Sequence, residues 1–103
     1  MYIRIRGWKA NPGKEQDFET ALREIVGWIR ETPGCASADM CKAVGVGEEG
    51  KYFSLIRYDD EDAYYQMQKT VRNPRIVPRL EGLGQETWEL VAGESLEGEV
   101  TKE

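Results

Sequence analysis

The side chains best suited to chemistry in this sequence are arginines and aromatic residues. Six of them carry a cation, a hydroxyl or an indole N–H: Arg4, Arg6, Trp8, Tyr52, Tyr64 and Tyr65. In an apolar chamber an arginine stabilises a developing anion, and a tyrosine donates a hydrogen bond or relays a proton. A structural interpretation stands beside this one, because the arginines could pair across a sheet with Asp39, Glu86 or Glu89, and the helical tyrosines could serve packing. Both interpretations stay open from the sequence.

Other kinds of site find little support in the composition. The chain has no histidine and only two cysteines. Cys35 and Cys41 are predicted on one strand, about 20 Å apart, whereas a disulfide needs Cα atoms within roughly 7 Å. They are therefore predicted to be free thiols. The acidic run at 59–62 is typical of a helix start, so the sequence predicts no metal site and no cofactor.

A helix with both ends marked lies between two strand-like runs. Asn11 is predicted to cap its first amides, and Pro12 to occupy its first position. The apolar residues that follow are spaced by four, three and four positions and form one stripe: Phe18, Leu22, Ile25 and Ile29. Pro33-Gly34 is predicted to end the helix and turn the chain.

The rest of the sequence repeats this arrangement. Alternation and periodicity predict strands at 2–8, 35–44, 51–58 and 85–92, and a second helix at 59–73. The order βαββαβ is typical of an α+β, ferredoxin-like sandwich with a four-stranded antiparallel sheet. Arg72, Arg75 and Arg79 are predicted to lie in or near a solvated loop, because two prolines interrupt this region.

Both faces of the predicted sheet carry apolar residues. Ile3 and Ile5 compete for burial with Tyr2 and Trp8, which alternate with them along the first strand. A sheet that is apolar on both sides suggests a homodimer. The alternation leaves two orientations open, because Arg6 would point into the dimer interface if Ile3 and Ile5 faced the helices.

Length and charge limit the classes of function. The 103 residues suit one domain, predicted at 1–93, followed by an acidic, flexible C-terminal tail at 94–103. A net charge of −5 argues against nucleic acid as a partner. No apolar run approaches the roughly 20 residues that span a bilayer, and no signal-peptide pattern follows Met1. The sequence therefore predicts a cytoplasmic protein without membrane contact.

Three short motifs occur in a recognisable order: Pro12-Gly13 before a helix with Phe18 near its start, Pro33-Gly34-Cys35 at the entry to the second strand, and Tyr58-Asp59-Asp60 at the exit of the third. In these motifs and their spacing, residues 1–92 resemble the antibiotic biosynthesis monooxygenase (ABM) family of dimeric α+β barrels. Two positions depart from the family pattern. Such sequences often carry Trp where Tyr58 stands, and a His near Met67.

The resemblance implies two sheets packed face to face in a dimer, with a pocket between sheet and helices in each subunit. It also implies a monooxygenase that needs no cofactor and acts on a small aromatic or quinol-like substrate, because an electron-rich phenolate can itself pass an electron to dioxygen. Arg6 would stabilise the anion and Tyr64 would relay a proton, which makes them the predicted catalytic pair. The residues predicted to line the pocket are Trp8, Tyr52, Tyr58, Tyr65 and Met67.

The family also contains haem-degrading enzymes, and this branch can be compared position by position. It uses an Asn on the first strand, a Trp on the second helix and a following His as the iron ligand. The corresponding positions here hold Arg6, Met67 and Val77, and the chain has no imidazole to bind iron. Haem degradation is therefore a disfavoured alternative.

Two further alternatives are not enzymes. An RNA-recognition domain shares the βαββαβ order, and residues 51–58 partly resemble its third-strand motif. However, Tyr52 and Ser54 replace the small residues that keep such a sheet open, and the folded body is acidic. The closer alternative is a non-catalytic dimeric module that binds a small apolar ligand or only itself, since fold alone supplies no activity.

Overall fold

The computed structural model describes residues 1–94, except for the side chains of residues 88–91. Its four strands form one antiparallel sheet in the order β2-β3-β1-β4. In chain order the elements are β1 (Tyr2–Ala10), α1 (Glu15–Arg30), β2 (Cys35–Lys42), β3 (Lys51–Tyr58), α2 (Glu61–Met67), a π-helical segment (Gln68–Ile76), α3 (Val77–Leu80) and β4 (Gly84–Glu94). This confirms the predicted α+β, ferredoxin-like fold. The predicted tail at 94–103 lies, after Glu94, outside the described residues.

The two faces of the sheet differ in burial. Arg6 and Trp8 of β1 point towards the helices, and each is only 7% exposed. On the opposite face, Ile3 and Ile5 are half-buried, as is Leu55, the β3 residue paired with Ile5. Of the two orientations that the alternation left open, the chain therefore adopts the one that places Arg6 between the sheet and the helices.

The start of α1 differs from the prediction, because the helix begins at Glu15 and Asn11 does not cap it. The Asn11 carbonyl accepts a hydrogen bond from the Lys14 N–H at 2.9 Å. This bond closes a turn in which Gly13 has a φ of +81°, as a type II turn with Pro12 at its second position requires. The Asn11 side chain instead holds the loop before β4. The Pro-Gly pair therefore forms a turn before the helix and not its first residues.

The apolar stripe of α1 lies at the centre of the core, as predicted. Its members are at most 4% exposed: Phe18, Leu22, Ile25 and Ile29. The chain leaves the helix through Gly34, which has a φ of +90°. A Cβ at this position would also lie 2.6 Å from the Cβ of Ala63 on α2. Both the backbone conformation and the close approach of α2 therefore require glycine here.

The second helical region is longer and less regular than predicted. Asp60 caps α2, because its Oδ1 accepts a hydrogen bond from the Ala63 N–H at 2.8 Å. After Met67 the chain stays helical through the π-helical segment and α3, so the predicted loop around Arg72 and Arg79 is wrong. The buried side chains of this stretch are spaced by four, five and four residues, which suits the wider turns of a π-helix: Met67, Val71, Ile76 and Leu80.

The pairing of β4 with β1 brings a carboxylate to the helical side of the sheet. β4 begins at Gly84, where a Cβ would overlap the Phe18 ring and the Lys9 carbonyl. The register between the two strands shifts between Ile5 and Trp8, and Glu86 then pairs with Trp8. Cross-strand partners share a face of the sheet, so Glu86 lies on the face that carries Arg6.

Three other features of residues 1–94 bear on function. No helix described by the structure is long and apolar enough to cross a membrane. Cys35 and Cys41 are both free. The same part of the chain contains no cluster of three side chains suited to holding a metal ion.

Candidate functional site

A small cavity lies between the sheet and the helices, and we call it the inner cavity. β1 contributes Arg4, Arg6 and Trp8 to its wall, and α2 contributes Tyr64 and Met67. The remaining wall is largely apolar and comes from α1, β2, β3, the π-helical segment and α3. The cavity has a volume of about 20 Å³, which is space for roughly one water molecule.

A larger depression adjoins this cavity at the surface, and we call it the outer groove. Its volume is about 330 Å³, and it lies between β4 and the helical stretch that ends in α3. The inner cavity and the outer groove share four lining residues: Trp8, Arg72, Ile76 and Leu80. Because the two spaces share this wall, we treat them as one cleft with a narrow inner end and an open outer end.

Arg6 is the buried cation of the cleft. Its Nη1 donates to Glu86 Oε1 at 2.7 Å, and its Nη2 donates to the Tyr64 hydroxyl at 3.4 Å. Burial and the neighbouring Arg72 guanidinium lower the pKa of Arg6, while Glu86 and Tyr64 oppose this shift. A guanidinium stays protonated even so, which means that a full positive charge faces the inner cavity.

Glu86 connects Arg6 to a second arginine. Arg72, on the π-helical segment, donates through Nη2 to the same Oε1 atom that accepts from Arg6. Arg4 also lines the inner cavity. The described residues that line the cleft therefore include three guanidiniums and one strand carboxylate, and Glu81 lies at the outer groove. This balance leaves the inner end of the cleft positively charged.

Tyr64 lies at the centre of this charged group. Its hydroxyl accepts hydrogen bonds from Arg6 and, at 2.7 Å, from Gln68 Nε2. The Arg4 guanidinium lies 4.2 Å from the centre of the Tyr64 ring, which is cation–π distance. The Tyr58 ring packs edge-on against it at 5.5 Å. Because the phenol O–H proton is not needed by these donors, it remains free to bond with a bound molecule.

Three buried polar atoms near this group have no hydrogen-bond partner among the described residues: Arg4 Nε, Arg72 Nε and Gln68 Oε1. An unpaired buried donor costs about 1–3 kcal/mol, and such groups in a folded protein call for an explanation. All three belong to residues that line the cleft or bond to Tyr64. They are unused hydrogen-bonding capacity for a water molecule or a ligand.

The structure brings together five of the seven residues that the sequence predicts for the site. These residues line the inner cavity: Arg6, Trp8, Tyr58, Tyr64 and Met67. Burial raises the pKa of Tyr58 well above its usual value, so its phenol stays neutral. Trp8 Nε1 lies 3.5 Å from Ser54 Oγ. The catalytic roles of Arg6 and Tyr64 stay predictions at this stage.

Tyr52 and Tyr65 lie outside the inner cavity and the outer groove. Tyr52 shares a face with Trp8, but its hydroxyl points to α1 and donates to Glu19 Oε2 at 2.7 Å. Burial and this bond raise the pKa of Tyr52 to about 12. Tyr65 is 51% exposed, because adjacent residues of a helix point in different directions.

Sequence reasoning missed the role of two residues in the cleft. Arg72 is part of the helical stretch, whereas the prolines suggested a loop. Glu86 was one of three carboxylates considered as a partner for the arginines of β1, and the structure selects the pair Arg6–Glu86. The wider spacing of buried residues after Met67 was the available signal, because it indicates a continuous helical face that carries Arg72 inward.

Comparison with known proteins agrees with this architecture. The family model described as antibiotic biosynthesis monooxygenase matches residues 1–72. A search of curated proteins found no significant match.

Several solved structures have the same fold over most of their length. PA3566 from Pseudomonas aeruginosa is 22% identical, with a TM-score of 0.70, and the alignment covers 89% of this chain and 88% of that one. HapK from Hahella chejuensis is 18% identical, with a TM-score of 0.78 and 94% of each chain covered. SnoaB, a cofactor-independent oxygenase from Streptomyces nogalater, is 14% identical, with a TM-score of 0.71 and 91% of each chain covered.

At these identities the structural likeness shows the fold alone. The family model carries more weight, because it matches well over half of the chain and includes β1, α1, β2, β3 and α2. This chain therefore belongs to the antibiotic biosynthesis monooxygenase family.

Proposed function

We propose that this protein is a monooxygenase that needs no cofactor and oxidises a small phenol or quinol in its cleft. One observation carries the proposal. Arg6 is almost fully buried and lies beside the Tyr64 hydroxyl in a cavity whose walls are mostly apolar. A fixed cation and a phenolic hydroxyl in a space that excludes water form an arrangement that stabilises an organic anion. Family membership and the fold shared with SnoaB support the same activity.

The chemistry follows from the electron richness of the substrate. With its proton removed, the phenol becomes a phenolate that passes one electron to dioxygen, and the two radicals combine at a ring carbon that carries hydrogen. Protonation gives a hydroperoxide. Loss of that hydrogen as a proton, with cleavage of the O–O bond, yields a quinone and one water molecule. One oxygen atom enters the product and the other enters water, so the substrate supplies all the electrons.

The described side chains have distinct roles in this scheme. Arg6 stabilises the phenolate and the negative charge that develops on oxygen. Tyr64 relays the proton between substrate, peroxide and solvent, with Gln68 holding its hydroxyl in place. Trp8 and Met67 supply apolar walls that exclude water. The sequence already disfavours haem chemistry, because the chain lacks histidine.

We also propose that the active species is a homodimer formed through the outer face of the sheet. Ile3, Ile5 and Leu55 lie on that face and are only half-buried in one chain. Phe53, the partner of Gly7 on the same face, adds an aromatic side chain. Contiguous apolar surface of this kind is stabilised by a second copy that covers it.

A second candidate function is a dimeric module that binds a small ligand without catalysis. One observation favours it. The inner cavity of about 20 Å³ is far smaller than the roughly 150 Å³ of an engineered cavity that binds benzene. An aromatic substrate must therefore sit in the outer groove or enter with side-chain movement. If that movement does not occur, Arg6 stabilises the fold and takes no part in a reaction.

Oxygen consumption distinguishes the two candidates. Chelator-treated protein is mixed with naphthols and hydroquinones, dioxygen is followed with an electrode, and quinone is followed by absorbance. The oxygenase predicts equal amounts of dioxygen consumed and quinone formed, at a rate proportional to protein concentration. Binding of these phenols with no oxygen uptake above the protein-free rate would favour the non-catalytic module.

A further inference from the structure

We propose that the Glu86 carboxylate occupies the position in the cleft that the oxyanion of a ligand takes when it binds. Arg6 and Arg72 select a phenolate by releasing Glu86 and binding the phenolate oxygen in its place. The choice of a phenol rests on the proposed function. The exchange itself is a binding event and involves no chemical step. It makes Arg72 and Glu86 specificity-determining residues in addition to Arg6 and Tyr64.

The first argument is the way in which Glu86 is bound. A single oxygen atom, Oε1, accepts from guanidiniums on two different elements, β1 and the π-helical segment. Two charged donors that converge on one oxygen form the contact that a phenolate oxygen needs, since a phenolate also presents one charged atom. A ligand oxygen at this point would meet both donors without rearrangement of Arg6 or Arg72.

The second argument is the difference in burial between the three partners. The Arg6 side chain is 9% exposed, that of Arg72 is 25% exposed and that of Glu86 is 33% exposed. Glu86 also lines the outer groove. The carboxylate is therefore the partner that can move out towards water, where it regains its hydration, while the two cations stay in the cleft.

The third argument is the charge that remains unmatched. Arg4 faces the same cavity, and the Nε atoms of Arg4 and Arg72 have no partner among the described residues. The ionisable groups around the inner cavity are three guanidiniums, the Glu86 carboxylate and the phenols of Tyr58 and Tyr64. Glu86 therefore neutralises only part of the positive charge of the three arginines. The remaining charge and the unpaired Nε–H groups are available to a bound anion.

The fourth argument is the room beside the carboxylate. The outer groove of about 330 Å³ starts at Glu86 and is lined by Trp8, Ile76 and Leu80. The space exceeds the roughly 150 Å³ of a known benzene-binding cavity. A phenolate oxygen between Arg6 and Arg72 therefore places its ring against apolar side chains in a groove that can hold it.

The test measures binding without turnover. The probe is para-nitrophenol, held without oxygen at a pH where it is ionised, and its neutral methyl ether para-nitroanisole serves as the comparison ligand. Binding to the native protein is measured by calorimetry, together with the variants Glu86→Gln and Arg72→Gln. Glu24→Gln is the matched control, because Glu24 forms a similar pair with Arg79 away from the cleft. Circular dichroism verifies the fold of each variant.

Removing the competing carboxylate should tighten phenolate binding. We expect Glu86→Gln to bind the phenolate roughly tenfold more tightly than the native protein, because a charge-assisted competitor is lost. Arg72→Gln should bind it at least fivefold more weakly, Glu24→Gln should match the native protein, and no variant should change binding of the methyl ether. These results would support the exchange even if no phenol consumed oxygen, so the proposed function can fail separately.

Other results would overturn the proposal. Equal or weaker phenolate binding by Glu86→Gln would mean that the carboxylate orders the arginines and does not compete with the ligand. If Glu24→Gln bound the phenolate more tightly to a similar extent, the effect would be explained by the change in net charge alone. Absence of phenolate binding in both the native protein and Glu86→Gln would remove the anion site altogether.

Discussion

Arg6 has two partners that differ in strength. The bond to Glu86 joins two charges at 2.7 Å, whereas the contact with the Tyr64 hydroxyl is 3.4 Å long. A 3.4 Å contact lies at the weak end of the hydrogen-bond range, so Tyr64 can turn towards a bound molecule at little cost. Gln68 keeps the hydroxyl near this point through its shorter bond. The pair is therefore placed for a charge-stabilising role and a proton-relay role on the same ligand.

Replacing Arg6 should reduce catalysis strongly. We predict that Arg6→Gln lowers kcat for phenol oxidation by about 100-fold, as loss of an oxyanion donor does in other enzymes. Initial rates of dioxygen uptake measure the effect. Arg30→Gln is the control, because Arg30 pairs with Asp39 at the exposed surface. An unchanged kcat in Arg6→Gln, with the fold intact, would exclude the role assigned to this residue.

The Tyr52–Glu19 bond should make stability depend on pH at both ends of the scale. Hydrogen bonds from Tyr52 and Lys42 lower the pKa of Glu19 from 4.5, so the stabilisation from Glu19 is present above 4.5 and is lost as pH falls through the folded-state value. The pKa of Tyr52 rises from 10.0 to about 12, so its stabilisation is present below 10 and is lost as pH rises through 12.

The variant Tyr52→Phe tests this linkage. We predict that it loses roughly 1.5–3 kcal/mol of unfolding free energy at neutral pH, the usual contribution of a hydrogen bond to a charged group. The difference from the native protein should shrink in acid and again in strong base, as urea unfolding at a series of pH values would show. A difference that stays constant from acid to base would mean that the two groups do not titrate as a pair.

At the scale of single residues, the sequence predicted the site only in part. Alternation correctly grouped Arg6 with Trp8, and the helical stripe correctly turned Tyr64 inward. Tyr52 pairs with Trp8 and shares its face, but it lies on β3 and its hydroxyl bonds to Glu19 of α1, which the sequence does not reveal. The partnership of Arg72 with Glu86 depends on the strand shift in β4 and on the π-helical segment, and both are set by tertiary packing.

A glycine inside α1 and a glycine just beyond it should respond oppositely to the same substitution. Gly34, just beyond the helix, has a φ of +90° and close contact with Ala63. Gly27, inside the helix, has open space where a Cβ would stand. We predict that Gly34→Ala costs roughly 1–3 kcal/mol, while Gly27→Ala stabilises by about 0.5–1 kcal/mol. Thermal unfolding of both variants measures this, and destabilisation by both would show that the helix packs differently.

At the scale of elements, the sequence predicted most of the architecture. Period-two alternation and one apolar stripe suffice for β1, β3 and α1, because their buried faces are continuous. Pro12-Gly13 led to a wrong predicted start for α1, because the same dipeptide suits both the first turn of a helix and a type II turn. The second helix was cut short at its prolines, yet Pro74 lies inside the π-helical segment and Pro78 in the first turn of α3. Standard helical spacing does not fit such wide turns, so the only signal that the helix continues is the apolar spacing of four, five and four residues after Met67.

For the molecule as a whole, the half-buried apolar face of the sheet is the main feature not explained by one chain. We predict that the protein sediments as a dimer at micromolar concentration, and that Leu55→Lys converts it to a monomer because a charge would be buried at the interface. Val46→Lys is the control, since Val46 is fully exposed in the loop between β2 and β3. A native protein that sediments as a monomer with its circular dichroism intact would disprove this interface.

The most direct test of the proposed activity is the fate of isotopically labelled dioxygen. Metal-stripped protein is incubated with a naphthol and labelled dioxygen, and mass spectrometry follows the label in quinone and water, with Arg6→Gln run in parallel. We predict one labelled atom in each quinone and the other in water. We also predict that Arg6→Gln forms quinone about 100-fold more slowly than the native protein. Quinone without label, or equal rates in the native protein and the variant, would contradict oxygenation by the Arg6–Tyr64 cleft.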